Sequence, residues 1–277
     1  MTTMSIEPAK NADYALFRRL FEELETGDPV TPEAEFERNI VPNMLVARAP
    51  AGEALGYVFA ELFGHACYVR HIVTSPPARK KGVGRALLAK VAAQAAARGA
   101  RQLELNVKLE NHAAIRLYES FGMRAVYEMV VLRLAWRDLP PPKRALSVLE
   151  VDAALAREVE ARFAMPAGLI VGHAASPLHV VRAIQEGATI CAVGSFRPSF
   201  PGVFPLRAET PDQALAVLAA LCPHAVDIQD SERPWRSRGV QIAVEDALET
   251  AATLIAAGGR EVFRIAHMQG PIGQTMS

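Results

Sequence analysis

Ile72-Val73-Thr74-Ser75-Pro76-Pro77-Ala78-Arg79-Lys80-Lys81-Gly82-Val83-Gly84-Arg85-Ala86-Leu87-Leu88 is the stretch whose reading decides the fold. A β-branched run stops at Ser75-Pro76-Pro77, and Val83 to Arg98 is a strong helix former with Leu87, Leu88 and Val91 at core spacing. Between them stands R-x-x-G-x-G. A loop that runs straight into a helix leaves several backbone N–H groups unpaired, and with the helix dipole they make an anion site suited to a pyrophosphate. Gly82 and Gly84 keep Cβ atoms out of the way, and Arg79, Lys80 and Lys81 add positive charge. A dinucleotide loop would need a third glycine where Leu87 stands, and a Walker A loop would need Gly-Lys-Ser/Thr, so both are excluded.

Upstream, Ser5 to Lys10 predicts a first strand and Asn11 to Glu25 a helix, with Tyr14, Phe17, Leu20, Phe21 and Leu24 on one face. Thr31-Pro32-Glu33 starts a second helix. Met44–Ala49, Leu55–Phe63 and Ala66–Thr74 predict an antiparallel meander with short Gly- or Pro-bearing turns. Downstream, Gln102–Val107 alternates as a strand, Asn111–Phe121 is a helix ending at Gly122, and Arg124–Ala135 reads as two more strands.

These segments resemble the GNAT superfamily of N-acetyltransferases. The likeness lies in the loop, in Leu103-Glu104-Leu105-Asn106-Val107, and in Glu110-Asn111-His112-Ala113-Ala114-Ile115-Arg116-Leu117-Tyr118-Glu119-Ser120-Phe121-Gly122-Met123, in the family's order and spacing. It covers about residues 5 to 136. It implies an α/β fold with a mixed, mostly antiparallel central sheet flanked by helices. It implies acetyl-CoA as cosubstrate, with backbone groups of Ile72, Val73 and Thr74 along the pantetheine arm. Arg79, Lys80, Lys81, Gly82, Val83, Gly84 and Arg85 would hold the pyrophosphate, and Asn111 would touch the arm. Tyr118 would protonate the departing thiolate after direct attack of a primary amine. A general base is expected near Tyr68, Arg70 or Asn106, where the family often carries a carboxylate, and none of the three is one. Glu104, on the same strand face as Asn106, is the best candidate, and Glu61 a weaker one. His71 alternates to the opposite face and reads as a core histidine. The missing carboxylates leave one alternative open, a non-catalytic acyl-CoA sensor.

At Asp138-Leu139-Pro140-Pro141-Pro142-Lys143-Arg144 the composition turns Pro-rich, which suits a spacer. The expected division is 1–137, a linker at 138–145, and a second domain at 146–277. In that second half, strands are expected at 147–151, 169–172, 188–195, 203–207, 240–244 and 262–268. Helices are expected at 152–163, 177–186, 211–221 and 245–257. Gly258-Gly259-Arg260-Glu261-Val262-Phe263 resembles Gly122-Met123-Arg124-Ala125-Val126-Tyr127 at an offset of 136 residues, and Val240–Val244 resembles Leu103–Val107 one residue out of step. The second half therefore reads as a degenerate copy, giving two tandem GNAT-like domains. At that offset Asn111 becomes Ala247 and Tyr118 becomes Leu254, and no second R-x-x-G-x-G exists. The copy is left to shape the acceptor site or to make a homodimer contact.

Of 277 residues, 51% are hydrophobic and 22% charged, with 30 Lys plus Arg against 30 Asp plus Glu. A zero balance argues against nucleic acid as partner, and Arg233-Pro234-Trp235-Arg236-Ser237-Arg238 reads as a surface loop. Three scattered cysteines form no metal or disulfide pattern. With no basic n-region, no apolar h-region and no bilayer-length apolar run, the expectation is a cytoplasmic protein off the membrane.

Overall fold

The computed structural model describes residues 4–26, 28–228, 236, 238–245 and 247–273. The chain forms two compact units, one of Met1–Val126 with His267–Ser277, the other of Tyr127–Ala266.

In the first unit, β1 (Ser5–Pro8) is followed by α1 (Tyr14–Phe21), a short α2 (Glu33–Glu35), β2 (Met44–Arg48), β3 (Ala54–Phe63) and β4 (Ala66–Thr74). These four strands pair antiparallel in sequence order. α3 (Val83–Ala97) then crosses over and returns the chain as β5 (Gln102–Lys108), parallel to β4, as a helical crossover permits. α4 (His112–Glu119) and the start of β6 (Arg124–Ala135) follow. Phe17, Phe36 and Tyr57 are fully buried on the α1 side, and His71 completes that aromatic cluster with Phe21 and Phe59. Burial of each such ring is worth about 1.5–3 kcal/mol. On α3 the buried positions are Val83, Leu87, Leu88, Val91 and Ala95, the stripe that its spacing predicts.

The second unit takes β6 from Tyr127 onward, β7 (Ser147–Glu150), α5 (Ala153–Arg162), α6 (Leu169–Ala175), β8 (Val180–Glu186), β9 (Thr189–Arg197) and β10 (Gly202–Ala208). Then come α7 (Pro211–Leu221), β11 (Gly239–Glu245), α8 (Leu248–Ala256) and β12 (Arg260–Pro271). β7, β8, β9 and β10 pair antiparallel in sequence order, β10 pairs parallel with β11, and β11 pairs antiparallel with β6. The first unit follows the same plan, with the end of β12, from His267, beside β5. The repeat is therefore structural. α8 begins 136 residues after α4, and β12 spans β6 shifted by the same 136.

The structure corrects several expectations. The division at 138–145 is replaced, because β6 leaves the first unit after Val126 and the last strand returns to it at His267. The Pro-rich segment is not a free spacer, since the Lys143 N–H donates to Asp212 at 2.5 Å and Arg144 pairs with Glu186. Arg124–Ala135 is one strand, since β11 pairs with it from Met129 to Ala135 without interruption. Leu169–Gly172, expected as a strand, opens α6, because both Glu160 carboxylate oxygens accept N–H bonds there, from Gly168 and Val171. Pro177–Glu186, expected as a helix, becomes β8 from Val180, where β-branched residues meet a partner strand on each side. Arg233, Pro234, Trp235 and Ser237 lie outside the described residues. Arg236 is buried and donates to the Ser199 carbonyl at 3.0 Å, unlike a surface-loop arginine. No described helix is long and apolar enough to cross a membrane.

Candidate active site

β4 and β5 stay paired only from Ala66/Gln102 to Val69/Leu105. Beyond that they part, β4 continuing to Thr74 against β3 and β5 to Lys108. The parting leaves the β5-facing edge of Ile72, Val73 and Thr74 without a strand partner, the edge that an extended amide-bearing arm could line. β3 is held tightly on the other edge, where a Cβ on Gly56 would lie 2.4 Å from the Val73 carbonyl oxygen.

Past Thr74 the chain turns through Pro76–Ala78 and reaches α3 by way of Lys80 at φ 61° and Gly82 at φ 82°. Gly82 is needed for its left-handed conformation, since a Cβ there would touch nothing. No backbone N–H from Lys80 through Arg85 makes a well-formed hydrogen bond among the described residues. The next one, of Ala86, closes the first helical turn on the Gly82 carbonyl at 3.0 Å. The result is a run of bare amides at the positive end of a fifteen-residue helix. Gly84 faces Leu117 and Thr74, with a Cβ 3.4 and 3.6 Å from their side chains, so the loop, the end of β4 and α4 converge there.

The charged side chains are more committed than their sequence suggests. Arg79 pairs with Glu23 at 2.5 Å, Arg85 donates to Ser120 Oγ at 2.9 Å, and Lys80 and Lys81 are exposed. Val83 is buried in the core. Asn111 caps α4, its Oδ1 accepting the Ala114 N–H at 3.1 Å. The segment after α1 ties to the loop past β4 and to β5, because Glu23 holds Arg79 and the Glu25 carbonyl accepts from Lys108 Nζ at 2.7 Å.

Tyr118 is buried on α4, and its hydroxyl meets no hydrogen-bond partner among the described residues. Burial pushes the phenol above its ordinary value, so the group stays protonated. His71, as expected, is a core histidine, and its burial pulls the imidazole down to about 4.

Glu104 is buried, and its Oε1 accepts from Gln269 at 3.0 Å. Its Oε2 lies 3.8 Å from His267 Nε2, while His267 Nδ1 meets Asn106 Oδ1 at 2.9 Å. The Tyr68 ring lies 6.1 Å from that imidazole, and Arg70 sits over the Tyr68 ring and pairs with Glu61 at 2.7 Å. Glu61 is thus spoken for by Arg70. No hydrogen bond joins Tyr118 to Glu104 among the described residues. Sequence reasoning missed His267 and Gln269, which stand more than 160 residues away in the chain. The repeat was the available signal, because it marks residues 260–271 as the counterpart of 124–135.

The model of the acetyltransferase (GNAT) family matches residues 14–123. An acetyltransferase from Sodalis glossinidius is 30% identical over 100 residues, covering 35% of this chain and 68% of that one. The chain belongs to the GNAT acetyltransferase family. GNAT proteins transfer acyl groups from acetyl-CoA or another acyl-CoA. Several solved structures match nearly the whole chain, two of them over nearly their own full length as well. A GCN5-related N-acetyltransferase from Sphaerobacter thermophilus is 17% identical with a TM-score of 0.64, over 97% of this chain and 96% of that one. A tandem GNAT protein from the clavulanic acid biosynthesis pathway is 15% identical with a TM-score of 0.59, over 98% and 99%. They show that the tandem arrangement of two GNAT folds is the architecture here.

Proposed function

We propose that this GNAT protein transfers the acetyl group of acetyl-CoA to a primary amine by direct attack of the amine on the thioester. The observation that carries the reading is the run of bare amides from Lys80 to Arg85, set where β4 and β5 part. The pyrophosphate would take those N–H groups, and the pantetheine arm would pair with the open edge of Ile72 to Thr74, while Asn111 lies at the start of the helix beyond. Tyr118, protonated and otherwise unbonded, supplies a proton to the sulfur. The exposed carboxylates Glu22 and Glu25, on the segment tied to the loop past β4 and to β5, favour a cationic acceptor.

Calorimetry with acetyl-CoA on wild type and on a Gly82→Glu, Gly84→Glu double variant tests the site. Binding in the wild type that vanishes in the variant is expected, since two carboxylates would occupy and repel the phosphate position. A folded wild type that binds no acetyl-CoA would sink the reading. Tyr118→Phe should retain binding while kcat falls by about 10²-fold or more. Tight binding with no turnover on any amine would favour the acyl-CoA sensor instead.

A further inference from the structure

The base position left open by Tyr68, Arg70 and Asn106 is filled from the far end of the chain. Asn106 is the first residue of β5 past the point where β4 and β5 part. His267 of β12 meets it at 2.9 Å and lies beside the Tyr68 ring. We propose that His267, paired with Glu104, takes the proton from the acceptor amine. The proposal rests on the amine acetyltransferase reading above.

Asn106 Oδ1 can only accept, so the contact fixes Nδ1 as the protonated nitrogen and Nε2 as the basic one. Nε2 faces Glu104 Oε2 at 3.8 Å, so the imidazolium formed on taking a proton has a carboxylate beside it. Gln269 holds the other oxygen of Glu104. Asn106, Glu104 and Gln269 are therefore positioning residues, and His267 is the group that touches the amine. The side chains of His267 and Glu104 are 7% and 8% exposed, a dry setting in which the charge pair is strong.

The second unit argues that the fold does not need this cluster. There β11 stands for β5 and β6 for β12, and the same two rungs are Gln241 with Arg133 and Ala243 with Val131. The outer rung keeps its structural hydrogen bond, Arg133 Nε to Gln241 Oε1 at 3.0 Å, as Gln269 to Glu104 does in the first unit. The inner rung, where the first unit carries His267 and Asn106, is two apolar residues. A sheet that closes on Val131 and Ala243 has no structural use for an imidazole there.

R–NH3+ gives one proton to His267 Nε2, which passes it to solvent. The neutral nitrogen attacks the thioester carbon, the N–C bond forms and the C–S bond breaks. The sulfur leaves as the thiol with the Tyr118 proton, and the proton that the nitrogen sheds in becoming an amide restores the phenol.

The test compares full-length wild type, His267→Gln and His267→Ala in acetyl-CoA calorimetry and in amine acetylation from about pH 6 to about pH 10. Gln keeps a donor for Asn106, and retained acetyl-CoA binding reports an intact fold. Expected are unchanged binding and a kcat lower by about 10²-fold near neutral pH. The deficit should shrink as the free amine deprotonates, and added imidazole should restore rate in the Ala variant. Among the groups facing His267 that share in the profile are Glu104, Tyr68 and, over that ring, Arg70 with Glu61. Unchanged kcat in both variants overturns the proposal. So does a pH-independent loss that imidazole does not relieve, or loss of acetyl-CoA binding in both, either of which makes His267 structural. A wild type that binds acetyl-CoA but acetylates no amine overturns the functional reading with it.

Discussion

α3 and α7 follow equivalent strands in two units built to one plan, and they begin in opposite ways. The chain enters α3 through a left-handed Gly82 that caps nothing, and the amides ahead of it are bare. It enters α7 through Thr210 and Pro211. Thr210 Oγ1 accepts the Gln213 N–H, Gln213 Oε1 accepts the Thr210 N–H, and proline brings no N–H at all. The strand gaps differ as well. β10 and β11 are paired at Gly202/Gln241 and Val203/Ile242, and farther along Arg207 reaches Glu245 at 2.8 Å, with the Tyr127 hydroxyl donating to the same carboxylate. No ion pair joins β4 to β5 among the described residues. At this helix start the second unit thus satisfies its own backbone amides, whereas the first leaves them open to a ligand. The scaffold is common to both, so the groups that differ are the ones to suspect of chemistry.

That comparison breaks first at Tyr118 and Leu254, which occupy equivalent places on α4 and α8. Leu254 is wholly buried, and Leu254→Ala should cost about 2–5 kcal/mol in urea unfolding. Tyr118→Phe removes only an unbonded hydroxyl and should change stability by less than about 1 kcal/mol while it damages turnover. Equal destabilisation by the two would make Tyr118 scaffold and remove the distinction.

Acid and base should also act on the units with opposite sign. His71 is held neutral down to about 4, so between that and its unfolded value near 6.5 only the unfolded chain takes the proton. The first unit's stability from this source is complete above that upper limit and falls as the pH drops toward the lower one, by at most about 3 kcal/mol. Glu245 is pushed up to about 7 from 4.5, because burial outweighs the attraction of Arg207. Over that window the folded state holds a proton that the unfolded state releases, so the second unit weakens as pH rises through it. Hydrogen exchange read separately from β4 and β11 across this range checks the signs. His71→Phe should flatten the first slope and Glu245→Gln the second, and slopes of one sign in both wild-type units would contradict the assignment.

The smallest contrast lies in the helix caps. Asn111 caps α4 and its counterpart Ala247 leaves α8 uncapped. Asn111→Ala should lower stability by about 1 kcal/mol, and Ala247→Asn should raise it by a similar or smaller amount. A neutral Asn111→Ala in thermal melts would mean that this asparagine is kept for the ligand alone.

What could be read ahead of the structure follows from where the determining forces act. Ala66–Thr74 matches β4 end for end, and α3 and α4 fall where their glycine stops and apolar stripes put them, because turns and periodicity are local. Leu169-Ile170-Val171 looks like a strand by propensity and is a helix because a carboxylate from α5 caps it, a contact that no window of sequence contains. The loop ahead of α3 was legible since its amides, glycine and helix are neighbours in the chain. The contact of His267 with Asn106 was not, because the two become neighbours only after a whole second unit has been built between them.

The return of the chain to its first unit at His267 also sets a timetable. About 140 residues separate Val126 from His267, and at about 5–20 residues per second a ribosome needs on the order of ten seconds to make them. Throughout that interval the emerging N-terminal half has the loop ahead of α3 but an unclosed sheet edge beside β5, open to mispairing with another nascent chain. Docking of the end of β12 closes that edge and sets the His267 imidazole against Asn106 in one event.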